Sequence, residues 1–271
     1  MMAVLAGAKP SNVGLGAWLS HVVVMSRRAI HGILRQPQLW APSLVFPLFF
    51  AAVSAAAFER TTSLPGFPEV DSFLTFLLPA TIVQGVMFSA TSAGAETAID
   101  MENGFLDRLL AASVARVPMF LGRLGGVVVL SFAQVLVFTA VFVIFGASFA
   151  AGMGGLAVLV LMGVLFGSAI GAIAMAIALR TGSVEAVNGA FPIFFAAVFL
   201  SSAFFPPELS GGWFETVANV NPITWMIDAV RELVVVGWNT EAAFRAVGVA
   251  AAMLVAFMAV ALRSLRVSLR S

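Results

Sequence analysis

Cysteine and tyrosine are missing from the 271 residues, and lysine occurs once, at Lys9. Without cysteine there is no disulfide, no thiolate metal site and no cysteine nucleophile. Histidine is scarce as well. His21 and His31 both fall in the N-terminal stretch, with no second ligand at metal spacing, so no metal chemistry is expected of them. The lone lysine excludes a phosphate-cradling P-loop, which needs a lysine within GxxxxGK[ST]; Lys9 is followed by Pro10 and preceded by no glycine loop. No cofactor is therefore expected in this chain. Charged residues make up 10% of the whole, against about 25% in a soluble domain. A net charge of +1 gives no basis for nucleic-acid binding.

What is present is apolar chain, 61% of the residues, arranged in long uncharged blocks. A bilayer needs about 20 apolar residues per helix. Six blocks qualify, at about 39–58, 73–95, 124–146, 153–179, 186–205 and 246–262. The expected fold is an all-α integral membrane protein of six transmembrane helices, with residues 1–37 as a cytoplasmic N-terminus and 38–271 as one membrane domain. The Ala55–Ala57 triplet resembles a signal-peptidase site, but some 37 residues precede the first apolar run and further spans follow, so an uncleaved anchor is expected.

An even number of spans puts both termini on one side, and the basic residues choose that side. Eleven bases fall in the N-terminal region, the loops after the second and fourth spans, and the C-terminal tail. Only Arg60, Arg231 and Arg245 fall opposite, with eight acids. Both termini are expected in the cytoplasm. Residues 14–36 mix Trp18, Leu19, Val22, Val23, Ile30 and Leu34 with Arg27, Arg28 and Arg35, which suits an amphipathic helix at the inner headgroup layer. In the fourth span Gly163, Gly167 and Gly171 open a groove for a close-packed helix of this chain or another.

Two segments are not explained by spanning. In the cytoplasmic loop of residues 96–123, Phe105, Leu106, Leu109 and Leu110 fall on one helical face after Gly104, making a short amphipathic helix. Such a helix either docks a cytosolic partner or lies on lipid. In the outer segment, 206–240, Pro206, Pro207, Gly211 and Gly212 are expected to stop the fifth span. Trp213, Trp225 and Trp238 suit the membrane interface, and a helix is expected to start after Asn221-Pro222. Asp228 and Arg231 have the spacing of an intrahelical ion pair.

These segments resemble the type-2 ABC exporter permeases, in particular the daunorubicin-resistance type of membrane subunit. The matching motifs are ENGFLDRLL at 102–110, Leu121-Gly122-Arg123, Phe205-Pro206, Asn221-Pro222-Ile223-Thr224 and Asp228-Ala229-Val230-Arg231. Ser113 departs from the pattern, since many relatives have a proline after the leucine pair. The resemblance implies an N-terminal connecting helix, a coupling helix between spans two and three, and re-entrant helices between spans five and six. It also implies a homodimer, or a heterodimer with a similar permease, in a prokaryotic plasma (inner) membrane. Two copies of a separate ABC ATPase subunit, which binds the ATP and magnesium, complete the assembly. Glu102, Gly104, Leu106, Arg108, Leu109 and Leu110 would form the contact with that ATPase. Pro206, Asn221, Pro222, Thr224, Asp228 and Arg231 would form the outer re-entrant motif.

The expected function is a permease for drug, lipid or lipid-linked molecules, not an enzyme. The 25 phenylalanines fit an apolar or amphiphilic cargo as well as ordinary lipid contact. The six blocks hold no ionisable residue, only Gln84, Gln134 and Asn188 as stronger polar groups, so energy is expected through the cytoplasmic loop. The alternative is an ion-coupled secondary multidrug carrier.

Overall fold

The computed structural model describes residues 15–104 and 116–268. Among these residues the regular structure is all helical. The order is α1 (Leu15–Leu34), α2 (Pro37–Phe58), a 3-10 turn (Glu59–Ser63), α3 (Phe73–Ala90), α4 (Ser92–Glu102), α5 (Arg116–Ile144) and α6 (Gly152–Thr181). Then come α7 (Val184–Phe199), α8 (Pro207–Ser210), α9 (Gly212–Val220), α10 (Pro222–Val235) and α11 (Thr240–Ser268).

Five segments are long and apolar enough to cross a membrane: Trp40–Ser63, Phe73–Glu102, Phe120–Ile144, Gly152–Thr181 and Thr240–Leu265. Helix α7 is the sixth apolar segment but has only 16 residues. At 1.5 Å per residue it reaches about 24 Å, short of a hydrocarbon core of about 30 Å. It begins two residues before the expected block and ends six before it. The prolines at 206 and 207 therefore do not terminate it; residues 200–206 follow as non-helical chain.

Helix α3 is the centre. Sixteen of its eighteen residues are buried, among α2, α5, α6 and α10. Helices α6 and α11 pack side by side, and Arg180 Nε donates to Ser264 Oγ at 2.8 Å where they end. The glycine groove of α6 is filled from within the chain. A Cβ at Gly163 would sit 2.5 Å from Val135 of α5, and one at Gly167 would sit 2.7 Å from Val86 of α3. At the level of that groove Gln134 of α5 is fully buried, and its amide nitrogen donates to Ser43 Oγ at 2.8 Å while Ser89 donates to its oxygen at 2.7 Å. One side chain thus ties the first three spans together where lipid offers no substitute partner.

Helix α1 is not a separate surface element. It packs against the start of α5, where Gly122 and Gly125 leave room for Val22 and Ser26. Leu19, Val23 and Val24 on its other side stay exposed, an apolar face suited to lipid. The chain expected to be loop from residue 96 continues as helix to Glu102.

Candidate functional site

At the end of the bundle where α7 stops, the four spaced residues of the motif converge on the seven-residue stretch just beyond that helix. Asn221 caps α10, accepting the Ile223 N–H at 2.9 Å, and Pro222 supplies the first helical residue. The same Asn221 donates through Nδ2 to the carbonyls of Ala197 at 2.7 Å and Leu200 at 2.8 Å. These are carbonyls a helix end leaves without partners. One turn on, Thr224 accepts the Ser202 N–H at 3.2 Å, and Asp228 accepts the Ser202 hydroxyl at 2.5 Å. Arg231 completes the set, donating to Ser202 O at 2.7 Å, to Asp228 at 2.7 Å and to Phe76 O of α3 at 3.4 Å. Its guanidinium lies 3.9 Å from the centre of the Phe76 ring. Pro206 is buried and immediately precedes α8, which begins at Pro207.

Arg231 is 7% exposed, and burial lowers its pKa to about 10, so it stays cationic at neutral pH. The Asp228 side chain is partly open to a cavity of about 360 Å³, yet burial raises its carboxyl above the ordinary 3.8, outweighing the pull of Arg231 and of the Ser202 hydroxyl. The expected Asp228–Arg231 pair is therefore present, but it is one part of a three-way fastening of α10, the end of α7 and α3. Ser202 is the member that the sequence reading missed; the Ser201-Ser202 pair interrupting an apolar run was the available signal.

Against this fastening lies an aromatic cleft. Phe46 and Phe50 of α2 face Phe195 and Phe199 of α7 with ring centres 6.5 and 6.0 Å apart, and Phe88 of α3 meets Phe191 at 4.4 Å. Phe204, in the fastened stretch, stands 4.6 Å from Phe199 and 5.2 Å from Phe50. A cavity of about 410 Å³ opens among Phe50, Phe58, Phe199, Phe204 and Phe214, with Ser54 and Ser201 as polar points. The outer motif thus sets the position of one wall of an apolar cavity of drug-binding size.

At the opposite end, α4 finishes at Glu102, which is exposed, and Gly104 takes φ +63, a conformation that suits glycine at a helix exit. Leu106, Arg108, Leu109 and Leu110 lie outside the described residues. Arg123, beyond the loop, ion-pairs with Asp100 before it, and Arg28 of α1 approaches the same carboxylate at 3.4 Å.

The profile of the ABC-2 type transporter family matches residues 20–235. The chain is 26% identical over 230 residues to the daunorubicin resistance ABC transporter permease protein DrrB1 of Streptomyces coeruleorubidus, covering 84% of this chain and 78% of that protein. It is 25% identical over 226 residues to the ycf38 transport-permease relative of Cyanophora paradoxa, covering 83% and 78%. With a multi-helix apolar bundle and this match over most of its length, the chain belongs to the ABC-2 type transporter family, a membrane-embedded permease component of an ABC transporter.

Proposed function

We propose that this permease is the membrane subunit of an ATP-driven exporter that moves hydrophobic or amphiphilic molecules out of the cytoplasm. The observation that carries the reading is the phenylalanine-walled cavity between α2 and α7, whose size and apolar lining fit a drug or a lipid-linked molecule. The name of the Streptomyces relative, a daunorubicin resistance permease, makes daunorubicin the first cargo to test.

Two permease chains, alike or similar, pair in the plasma membrane with both termini cytoplasmic, α7 makes the fifth of six crossings together with residues 200–206, and α9 and α10 enter the outer leaflet. Two ATPase subunits hold the ATP and magnesium and engage Glu102, Gly104, Leu106, Arg108, Leu109 and Leu110. Their closure pushes on this loop, and α2, α3 and α7 shift so that the aromatic cavity opens outward.

The test is copurification from mild detergent, followed by daunorubicin export from vesicles. An ATPase is expected to accompany the permease, charge reversal at Glu102 and Arg108 to release it, and export to require ATP. Export driven by a proton gradient without nucleotide would replace this reading with the ion-coupled carrier.

A further inference from the structure

Asp100 and Arg123 stand on either side of the loop assigned to the ATPase, Asp100 on the last turns of α4 and Arg123 near the start of α5. Their ion pair therefore closes the base of that loop. The two side chains are each 15% exposed, so water screens them little. Arg28 reaches the same carboxylate with two nitrogens, each at 3.4 Å, and brings α1 into the junction. The backbones are pressed together beside it: α1 crosses α5 over Gly122 and Gly125, and a Cβ at Gly94 would sit 2.7 Å from the Ala174 backbone of α6.

A cavity of about 290 Å³ lies at the junction, lined by Arg28, Glu96, Asp100, Arg123, Met25 and Gln36 among others. Both of its cations are taken up by the one carboxylate of Asp100. The cluster's work is mechanical.

We propose that Asp100 is a positioning residue, the latch that makes α1, α4 and the start of α5 a single body, so that a push on the intervening loop reaches the bundle through three helices instead of being lost in their relative sliding. The latch rests on the proposed ATPase-coupled function for its purpose but not for its existence. Arg28 supplies the arm to α1, and Arg123 the arm across the loop. Gly122, which the sequence reading placed beside Arg123 in one motif, provides the close approach that lets Arg28 reach.

Two readouts test the latch, the first made possible by the absence of native cysteine. In the permease alone, spin labels on cysteines introduced at Val23 and Val128, both on exposed faces, report the α1–α5 distance by pulsed electron resonance. The unaltered protein is expected to give one narrow distribution, D100N and R28Q broader ones, and D100E a narrow one again. A distribution unchanged in D100N and R28Q overturns the latch, whether or not any ATPase binds.

In vesicles with the copurified ATPase, D100N is expected to lower ATP-driven daunorubicin export roughly tenfold more than it lowers ATP hydrolysis, the scale of one coupling free energy, with D100E restoring the ratio. Hydrolysis and export falling in equal proportion, or neither falling, overturns the latch. Failure of the unaltered permease to bring down an ATPase sinks the exporter reading instead, and leaves the spin-label result to decide the latch.

Discussion

The guanidinium of Arg231 donates to the carbonyl oxygen of Ser202 at 2.7 Å, joining the buried face of α10 to the chain that leaves α7. The two residues are 29 apart in sequence. Arg231 can do this because its planar fork addresses three acceptors at once: Ser202 O, Asp228 and Phe76 O. The Phe76 carbonyl lies beside a weak point of α3, where Pro79 lacks the N–H that would bond Thr75 O. The segment carrying α10 is thus bound to the central helix where that helix's own ladder is incomplete.

Arg231→Lys keeps the charge but has no fork. It is expected to lose at least one of the two buried carbonyl contacts, at a cost of about 1–3 kcal/mol per group left unpaired. Arg231→Gln removes the cation as well and is expected to destabilise at least as much. Thermal unfolding in detergent measures both, and equal stability of Arg231→Lys and the unaltered protein would show that the fork contributes nothing.

Asp228 sets a pH dependence with a definite sign. Its folded-state carboxyl is raised above 3.8, so the folded protein holds that proton more tightly than the unfolded chain. Its contribution to stability is therefore fully present below the unfolded value and is lost as pH rises through the folded one. Relative to D228N, which cannot titrate, the unaltered protein is expected to gain thermal stability as pH falls from neutrality toward 4. A difference between the two that stays flat, or that shrinks on acidification, would contradict the burial that raises this group.

How much of this was legible beforehand follows the range of the forces. The long helices were readable because lipid imposes its length on each uncharged run separately: the expected 153–179 lies within the helix Gly152–Thr181, and 39–58 within the helix Pro37–Phe58. The end of α7 was not, because Asn221 and Arg231 take over the carbonyls near 197–202 and reward the chain for leaving the helix. Helix α4 ran past the expected boundary for a similar reason. Glu96 and Asp100 read as loop charges, but arginines 72 and 23 residues away from Asp100 make it at home on a packed helix. The glycine stripe of α6 was visible as a groove, whereas its occupants, Val86, Ser131 and Val135, follow only from the tertiary fold.

Gln134 separates two views of polar groups in membrane bundles. If burial in lipid made its hydrogen bonds several-fold stronger, Gln134→Leu would cost several kcal/mol. Ser43, however, only accepts from Gln134 and donates its own proton to Trp40 O at 2.6 Å, while the single Ser89 proton has Val86 O of its own helix at 3.0 Å as the alternative acceptor, so neither hydroxyl is orphaned by the change. A loss of only about 1 kcal/mol is expected. A fall several times larger would mean that Gln134 is a pivot the first three spans cannot do without.

Phe199→Ala tests the cavity apart from the fold. The ring is 38% exposed on the cleft side and touches Phe50, Phe195 and Phe204, so its removal widens the cavity between α2 and the fastened stretch without opening the buried centre around α3. Stability is expected to fall modestly, while ATP-driven daunorubicin export falls roughly tenfold, as for loss of one apolar contact in a binding pocket. Asn221→Ala supplies the control from the other direction. It leaves every ring in place but frees the carbonyls of Ala197 and Leu200, so stability should drop by about 1–2 kcal/mol and the wall that carries Phe199 and Phe204 should loosen with it. Export surviving Phe199→Ala but not Asn221→Ala would assign the work to the outer segment's rigidity and remove the aromatic cavity from the transport path.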